Sequence, residues 1–166
     1  GLNGPMSVSS SLADRMPFDP VRDLAPITLL MTGPNLLVVH PRVPATNLQE
    51  LIAFVRRNPE KLRYGHPGSG TSLHLAAELL NQMAGIRIEP VPYKSSAQMA
   101  VDVIAGHIDL IFHNVPVVLP HVRSGALRAI AITSLQRNPA APEIPTIAES
   151  GLPGYEITSW QAMYVP

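Results

Sequence analysis

The sequence predicts an α/β fold, a mostly parallel three-layer sheet with flanking helices. Short apolar stretches alternate three times with helical patterns, and each of these helices begins in a polar turn. Strands that alternate with helices form parallel sheets through right-handed crossovers. The composition agrees, because 166 residues with 46% apolar and 14% charged side chains make a globular domain and not a disordered one.

Composition and charge exclude several classes of function. Twelve Lys and Arg residues balance twelve Asp and Glu residues without any basic run, so no nucleic-acid partner is expected. No apolar stretch approaches the ~20 residues of a membrane-spanning helix, and no signal peptide is visible, so no direct membrane insertion is expected. The chain has no cysteine, which excludes disulfides and thiol chemistry.

The first part of the chain is predicted to be a connection followed by two strands. Residues 1–24 are rich in Gly, Ser and Pro and are expected to form a loop. Strand patterns follow at Ile27–Met31 and Asn35–His40. The turn-forming residues Thr32-Gly33-Pro34 are expected to separate them.

A helix is predicted next, over Asn47–Asn58. Its apolar residues recur on one face, and Thr46 with Gln49 three residues later fits a capping box. Pro59 ends the pattern.

Three strand–turn–helix units occupy the middle of the chain. The strands are predicted at Leu62–Gly65, Ile88–Tyr93 and Ile108–Phe112, and the helices at Thr71–Ala84, Ser95–Ala105 and from Asn114 to Ser124. Ser95 and Asn114 are of the residue types that cap helix N-termini.

The last part combines strands with a proline-rich segment. Leu127–Ser134 is apolar enough to lie in the middle of a sheet. The segment Asn138–Gly154 is predicted to hold one helical turn, in which Thr146 and Glu149 form a box. Ile157–Val165 is predicted to be the final strand.

The three turns after the central strands form the candidate site. The carboxyl ends of parallel strands meet at one edge of a sheet, and ligands bind there. This edge receives Ser69-Gly70-Thr71-Ser72, Tyr93-Lys94-Ser95-Ser96 and His113-Asn114. Hydroxyl groups and free amides at helix N-termini suit a small anion or polar molecule. Simple helix capping explains any single residue equally well, and the convergence of three turns is what favours binding.

Catalytic, metal-binding and nucleotide-binding chemistry finds no support. Thr71 stands where a phosphate-binding loop has lysine, and Ser69 does not lie in a G-x-S-x-G elbow. The histidines lack metal-ligand spacing, and no paired carboxylates suggest an acid and a base. His74, one turn into its helix, is expected to be a packed or surface histidine and not a ligand contact. We therefore expect no catalytic residue, metal or cofactor.

Several motifs together resemble one family, the tripartite tricarboxylate transporter receptors or Bug proteins. The resemblance runs from about Pro17 to Pro166. It rests on these motifs: Phe18–Pro26, Tyr64 with the Gly-Ser-Gly-Thr-Ser-Leu-His-Leu turn, Val91–Lys94, Gly106–Phe112, Ile144–Gly154 and Trp160.

The resemblance implies a periplasmic protein of two lobes that closes on a small carboxylate or dicarboxylate and passes it to a membrane permease. This chain would be mainly the second lobe of that periplasmic-binding-protein fold. Its parts would be an N-terminal connection over 1–24, a solute-binding lobe over 25–135, and a proline-rich segment with a hinge strand over 136–166. The ligand-binding residues that the resemblance implies are Ser69, Gly70, Thr71, Ser72, Tyr93 and Asn114.

Two departures from the family pattern bear on the ligand. Ser95 stands where glycine is usual, and His113 stands where an aspartate commonly precedes the asparagine, which removes a negative charge. The glycine-rich carboxylate loop of the first lobe is absent from this sequence. We therefore expect this chain to bind dicarboxylates in the millimolar range or not at all.

The missing lobe has a second consequence. The hinge strands Leu127–Ser134 and Ile157–Val165 would expose apolar edges, so a homo-oligomer is expected. Two other classes of function stay open. One is an enzyme of small acids that uses the same edge. The other is a ligand-free interaction module that docks through Asn138–Gly154.

Overall fold

The computed structural model describes residue 19 and residues 22–165, which form one mixed sheet with helices on its faces. The predicted loop over 1–24 lies largely outside the described residues. The strands are β1 (Ala25–Val39), β2 (Arg63–His66), β3 (Glu89–Pro92), β4 (Leu110–Asn114), β5 (Arg128–Ile132) and β6 (Thr158–Val165). The helices are α1 (Leu48–Arg57), α2 (Ser72–Ala84), α3 (Ser96–Ile104) and α4 (Val115–Arg123).

The strand order in the sheet is β3-β2-β4-β1-β5, and β6 pairs with β1. β2 is parallel to β3 and β4, whereas β1 is antiparallel to β4, β5 and β6. Strand β1 is therefore the one strand of the described sheet that runs against the others. The predicted α/β class is confirmed, and the antiparallel insertion of β1 is a feature that the sequence pattern did not reveal.

The predicted turn within β1 is wrong. Thr32, Gly33 and Pro34 pair with Trp160, Ser159 and Thr158 of β6, so the strand continues through them. Proline is tolerated because this half of β1 has a partner on one side only. From Asn35 onward β1 enters the main sheet between β4 and β5. The first half of β1 and β6 thus form a two-stranded ribbon that extends from the sheet.

The core forms around the second half of β1. The side chains of Leu36–Val39 are fully buried, as are those of the facing strand residues Leu110, Ile111 and Phe112. Helix α3 packs closely on β2 at Gly65, where a Cβ atom would lie 2.8 Å from Cγ of Met99. This packing fixes the ends of β2 and β4, which carry the candidate site.

The apolar sequence of β5 predicted a position in the middle of the sheet. The strand lies instead at the end of the strand order. Its outer edge is covered by the proline-rich segment. The amide of Ile132 donates to the Pro145 carbonyl at 2.9 Å, and the amide of Ile147 donates to the Ile132 carbonyl at 2.9 Å. At Ile132 the outer edge of β5 therefore has a backbone partner, and there the predicted exposure of this edge is wrong.

The N-cap of helix α1 lies one residue later than predicted. Asn47, not Thr46, is the N-cap, and its Oδ1 accepts from the Glu50 amide at 2.9 Å. The Glu50 carboxylate accepts from the Thr46 amide at 2.7 Å, while the Gln49 side chain donates to the Ser150 carbonyl at 2.5 Å. Gln49 is thereby used to hold the proline-rich segment and not to cap its own helix.

The remaining helices begin close to their predicted positions. Ser95 Oγ accepts from the Gln98 amide at 3.2 Å, and Thr146 Oγ1 accepts from the Glu149 amide at 3.0 Å in a single turn.

Within the described part of the chain no helix could cross a membrane, since the longest, α2, has 13 residues.

Candidate functional site

The turn between β2 and α2 directs a helix N-terminus toward the carboxyl edge of the sheet. Gly68 and Gly70 adopt φ angles of 136° and 78°, which favour glycine. Thr71 is the N-cap: its Oγ1 accepts from the His74 amide at 3.3 Å and donates to the Gly68 carbonyl at 2.8 Å. The hydroxyl of Thr71 is thus engaged within the turn, and the first amides of α2, beginning at Ser72, have no partner within the helix.

Four polar side chains join the start of α2 to the interior of β1, the end of β4 and the beginning of β6. Ser72 Oγ and Ser159 Oγ are 2.6 Å apart, and Ser159 Oγ donates to Asn35 Oδ1 at 3.0 Å. Asn114 Nδ2 donates to the same oxygen of Asn35 at 3.4 Å. We call these four residues the Asn35 cluster. Two of them, Ser72 and Asn114, were predicted as site residues, whereas Asn35 and Ser159 were not.

Asn35 holds the centre of the cluster because three strands fix it. It pairs in register with Asn114 on β4, and its amide donates at 2.8 Å to Thr133 Oγ1, just after β5. The Thr133 hydroxyl donates in turn to the Ile157 carbonyl at 2.6 Å. Asn35 is fully buried, and its Nδ2 has no hydrogen-bond partner among the described residues. A buried donor of this kind costs about 1–3 kcal/mol unless a water or a ligand oxygen satisfies it.

Two helix N-termini meet at the Asn35 cluster. Helix α2 begins at Ser72, and α4 begins at Val115 directly after Asn114. Asn114 occupies the predicted cap position, but its side chain makes no cap bond because it reaches Asn35 instead. The positive ends of both helix dipoles therefore lie near one another, with unpaired amides that can bind an anion.

The other predicted residues occupy different positions around the turn. Ser69 is exposed, whereas Gly70 is buried and donates its amide to His74 Nδ1 at 3.4 Å. The Tyr93 hydroxyl donates to Asp102 Oδ2 at 2.9 Å, so it is engaged on α3. Burial, with a smaller effect of Asp102, raises the pKa of Tyr93 to about 12. The structure thus connects Ser72 to Asn114 through Ser159 and Asn35, whereas Ser69, Gly70 and Thr71 lie in the turn before Ser72 and Tyr93 bonds to α3.

Two histidines contact each other beneath the turn. The ring centroids of His66 and His74 are 4.6 Å apart, and the Tyr64 ring lies 5.9 Å and 6.4 Å from them. Burial, and to a lesser extent the nearby His66, lowers the pKa of His74. His74 is packed, as expected, but its contact with the end of β2 could be found only from the fold.

His113 is a neutral buried side chain next to the cluster. Only 4% of it is exposed, and its Nδ1 accepts from the Asn114 amide at 2.9 Å. Its Nε2 has no partner within hydrogen-bonding geometry among the described residues. Burial lowers the pKa of His113, and the Ser96 backbone opposes this more weakly. Position 113 therefore brings no negative charge to the site.

A groove of about 420 Å³ opens beside the start of α4. We call it the Asn114 groove. It is lined by Met31, Thr32, Gly33, Pro34, Asn114, Val115, Pro116, Val117, Asn138 and Gln161. None of these side chains is acidic. A larger groove, of about 610 Å³, lies between α2 and β3, away from the cluster, and is lined partly by Glu78 and Glu89. Arg87 also lines this groove and pairs with Glu89 at 2.8 Å, so its lining carries two carboxylates and one guanidinium.

Metal chemistry and a hydrolytic triad find no geometric support. The described residues contain no group of three or more His, Asp or Glu side chains that could hold a metal ion. Asp109 precedes β4 at the opposite edge of the sheet, where it pairs with Arg42 at 2.7 Å. It also accepts from the Arg63 amide at 2.8 Å. Its role there is structural.

The fold defines the class, an α/β lobe of the kind found in periplasmic binding proteins, with a donor-rich edge at the carboxyl ends of its strands. The sequence profile described as "Tripartite tricarboxylate transporter family receptor" matches residues 3–166. The chain belongs to that family, as the sequence motifs predicted.

Solved structures with the same fold support this assignment. A structure from R. palustris with adipate is 38% identical, with a TM-score of 0.88 over 92% of this chain and 51% of that one. MatC from Rhodopseudomonas palustris with bound malate is 26% identical, with a TM-score of 0.91 over 100% of this chain and 56% of that one. The periplasmic binding protein BugD is 30% identical, with a TM-score of 0.85 over 90% of this chain and 50% of that one.

The chain spans about half the length of the curated relatives it matches, between 46% and 51% for three of them. The family is thus shown for a chain that matches about half of such a protein.

Proposed function

We propose that this chain is the part of a periplasmic solute-binding protein that binds a small carboxylate or dicarboxylate for a tripartite tricarboxylate-type transporter. The observation that carries the proposal is the Asn35 cluster, which joins Ser72 and Asn114 at the starts of two helices. Family membership and the adipate and malate in two related structures support the ligand class. The periplasmic location rests on relatives such as BugD, and the permease partner on the family.

A carboxylate suits this site although the site has no fixed positive charge. Each helix N-terminus stabilises an anion by about 0.3–1 kcal/mol, and each hydrogen bond to a charged group contributes roughly 1.5–3 kcal/mol. Lys94, on the neighbouring turn, is exposed and makes no ion pair among the described residues. It would favour an anion at longer range.

The Asn114 groove favours a ligand with an apolar middle. Its walls include Met31, Val115 and Val117, whereas Asn138 and Gln161 add polar groups. A dicarboxylate has this pattern, with methylene groups between two charged ends. We therefore propose that one carboxylate binds at the Asn35 cluster and that the remainder of the ligand extends along the groove.

The affinity of this chain by itself should be modest. Micromolar binding needs about 8 kcal/mol after the costs of association. A few donors on one open edge fall short of that, so we propose millimolar affinity for the chain as it stands.

We also propose that binding occurs without turnover. Two carboxylates on the helices beside the turn, Glu78 of α2 and Asp102 of α3, accept hydrogen bonds from tyrosine hydroxyls. Tyr64 donates to Glu78 Oε1 at 2.5 Å, and Tyr93 donates to Asp102 Oδ2 at 2.9 Å. Neither is placed as a free base. Unchanged ligand after prolonged incubation is expected, and a product detected by NMR would favour the alternative of a small-acid enzyme.

A titration followed by amide chemical shifts tests the proposal. Succinate, malate and adipate are added to the labelled chain, and the uncharged diol analogue of adipate serves as the ligand control. We expect millimolar binding of the acids, with shifts concentrated at residues 70–73 and at Asn114. Equal effects of the diol, or shifts confined to the groove between α2 and β3, would contradict the proposal.

Matched variants locate the site. Ser72→Ala and Asn114→Ala each remove one side chain of the Asn35 cluster, so binding should weaken about tenfold or more. Ser124→Ala is the control, since the exposed Ser124 hydroxyl bonds only to the His121 carbonyl, at 3.1 Å. Full affinity in both cluster variants would show that the ligand binds elsewhere.

A further inference from the structure

The His66–His74 pair lies beneath the turn that begins α2. The rings are 4.6 Å apart with an interplanar angle of 52°. His66 ends β2 and is 5% exposed, whereas His74 lies in the first turn of α2 and is half-buried. Two imidazoles in contact within the frame of an anion site are unusual, because each disfavours a positive charge on the other.

Both rings hold the turn through their Nδ1 atoms. The Gly68 amide donates to His66 Nδ1 at 3.3 Å, and the Gly70 amide donates to His74 Nδ1 at 3.4 Å. A ring nitrogen that accepts a hydrogen bond carries no proton, so Nδ1 is unprotonated in both rings in this arrangement. The two bonds are long, and long bonds of this kind are readily exchanged for others.

Nearby titratable groups influence whether the pair takes up a proton. The titratable side chains on the elements around it are Arg63 and Tyr64 of β2, Glu78 of α2, Glu89 of β3, Tyr93 after β3, Asp102 of α3 and His113 of β4. The Glu78 carboxylate favours protonation of His74, but burial and His66 outweigh it. In the free site a proton on His74 is therefore disfavoured, and an additional negative charge beside the ring would favour it.

We propose that anion binding at this turn is proton-linked, so that a carboxylate bound at the start of α2 draws a proton from solvent onto the His66–His74 pair. This inference rests on the proposed function and concerns the same site. The proton would enter at Nδ1 of His74, because that atom lies against the turn. Protonation there breaks the bond from Gly70, and this releases the Gly70 amide as a further donor to the anion. It also places a positive charge beside the carboxylate.

Proton uptake on binding determines how ligand affinity changes with pH. A ligand that binds the protonated form better binds more tightly as the pH falls, provided that the ligand itself stays ionised. Affinity should rise tenfold for each unit by which the ligand raises the pKa of His74. Dicarboxylate affinity should therefore increase several-fold between about pH 8 and about pH 6.

The test uses one variant that separates charge from structure. In His74→Asn the Oδ1 atom can still accept from the Gly70 amide but cannot take up a proton. We expect this variant to bind adipate at about pH 8 as the parent chain does, and to lose the increase at about pH 6. His121→Asn, on the half-buried face of α4, is the matched control and should keep the increase. Loss of the increase in both variants, or in neither, would overturn the inference.

A ligand-free measurement keeps this inference distinct from the proposed function. In an NMR pH titration of the free chain, the Gly70 amide resonance should move together with the His74 ring resonances. If the Gly70 amide resonance does not shift with the titration of His74, the inference is overturned even if carboxylates bind. Carboxylate binding of equal strength at both pH values also overturns it while leaving the proposed function intact. The absence of binding at either pH contradicts the proposed function and this inference with it.

Discussion

At the scale of single residues, Asn35 organises the site although it does not belong to any of the three predicted turns. Its Oδ1 accepts from both Ser159 and Asn114, and its own amide bonds to Thr133. These partners belong to β6, β4 and the end of β5. One carboxamide thus fixes the distance between the two helix N-termini that we propose to bind the anion.

Replacing Asn35 should therefore cost stability. In Asn35→Ala the hydroxyl of Ser159 and the amide of Asn114 lose their shared acceptor, so unfolding should become easier by about 1–3 kcal/mol. Asn138→Ala is the control, because Asn138 is only half-buried and its Oδ1 accepts from one amide, that of Ala140. Urea denaturation measures both. An equal and small loss in the two variants would mean that Asn35 does not hold the strands together.

The pH dependence of stability should reflect the two histidines with lowered pKa values. Burial lowers the pKa of His74 and of His113 below the ordinary value of 6.5. Below that value the unfolded chain binds more protons than the folded one. Stability is thus full above about pH 6.5 and falls as the pH drops toward the folded-state pKa values. Carboxylates with lowered pKa values, such as Asp102, also stabilise the fold when ionised. That stabilisation is lost only at a more acid pH, where they become protonated.

The variant His113→Asn isolates part of this effect. It removes a group that must be neutral to stay buried, so urea midpoints at about pH 7.5 and about pH 5.5 should lie closer together than in the parent chain. His121→Asn should leave the difference between the midpoints unchanged. A parent chain that is more stable at the lower pH would contradict the account of both buried histidines.

The sequence revealed only part of the site. Ser72 and Asn114 could be predicted because each follows a strand and begins a helix, where polar residues have a local reason to occur. Asn35 and Ser159 lie within strands, and their importance depends on which strands pair and in what register. The His66–His74 contact depends likewise on how α2 folds back over β2. No pattern along the chain encodes these distances.

At the scale of elements, local signals predicted the helices well and the strands less well. Helix α3 begins after its predicted cap, Ser95, and α2 begins at Ser72, one residue after its predicted start at Thr71. The break within β1 was wrong because Pro34 usually marks a turn, yet here it lies where the strand has a partner on only one side. The place of β5 was wrong because a covered edge strand and a central strand have the same apolar sequence.

The close approach of α3 to β2 gives a prediction at this scale. A Cβ atom at Gly65 would lie 2.6 Å from Ile108 and 2.8 Å from Met99, so Gly65→Ala should destabilise the fold by about 1–3 kcal/mol. Gly33→Ala is the control, since nothing lies within 4 Å of its added Cβ. Thermal unfolding compares the two. A Gly65→Ala variant as stable as the control would show that α3 can move away from the sheet freely.

At the scale of the whole molecule, the ribbon of β1 and β6 is the most exposed apolar feature of the described residues. Leu29 and Leu30 are each 58% exposed, and Met31 and Met163 are each 47% exposed. The expectation of a homo-oligomer, first based on two hinge strands, now rests on this ribbon, since the edge of β5 is covered. An exposed apolar surface of this kind promotes association.

Light scattering can test that expectation. The chain should form a dimer or larger assembly at tens of micromolar, and Leu29→Lys with Leu30→Lys should shift it toward the monomer. The double variant Val101→Lys with Val117→Lys, which alters exposed apolar positions outside the ribbon, is the control. A parent chain that is monomeric throughout this range would contradict the prediction.

The central claim is that the Asn35 cluster and the two helix N-termini beside it bind a carboxylate. A crystal structure of the chain grown with a saturating concentration of adipate tests this most directly. The account predicts one carboxylate of the ligand within hydrogen-bonding distance of the Ser72 amide or of the Asn114 side chain, with the methylene groups along the Asn114 groove. An adipate molecule bound only between α2 and β3, or a cluster that stays empty at saturation, would contradict it.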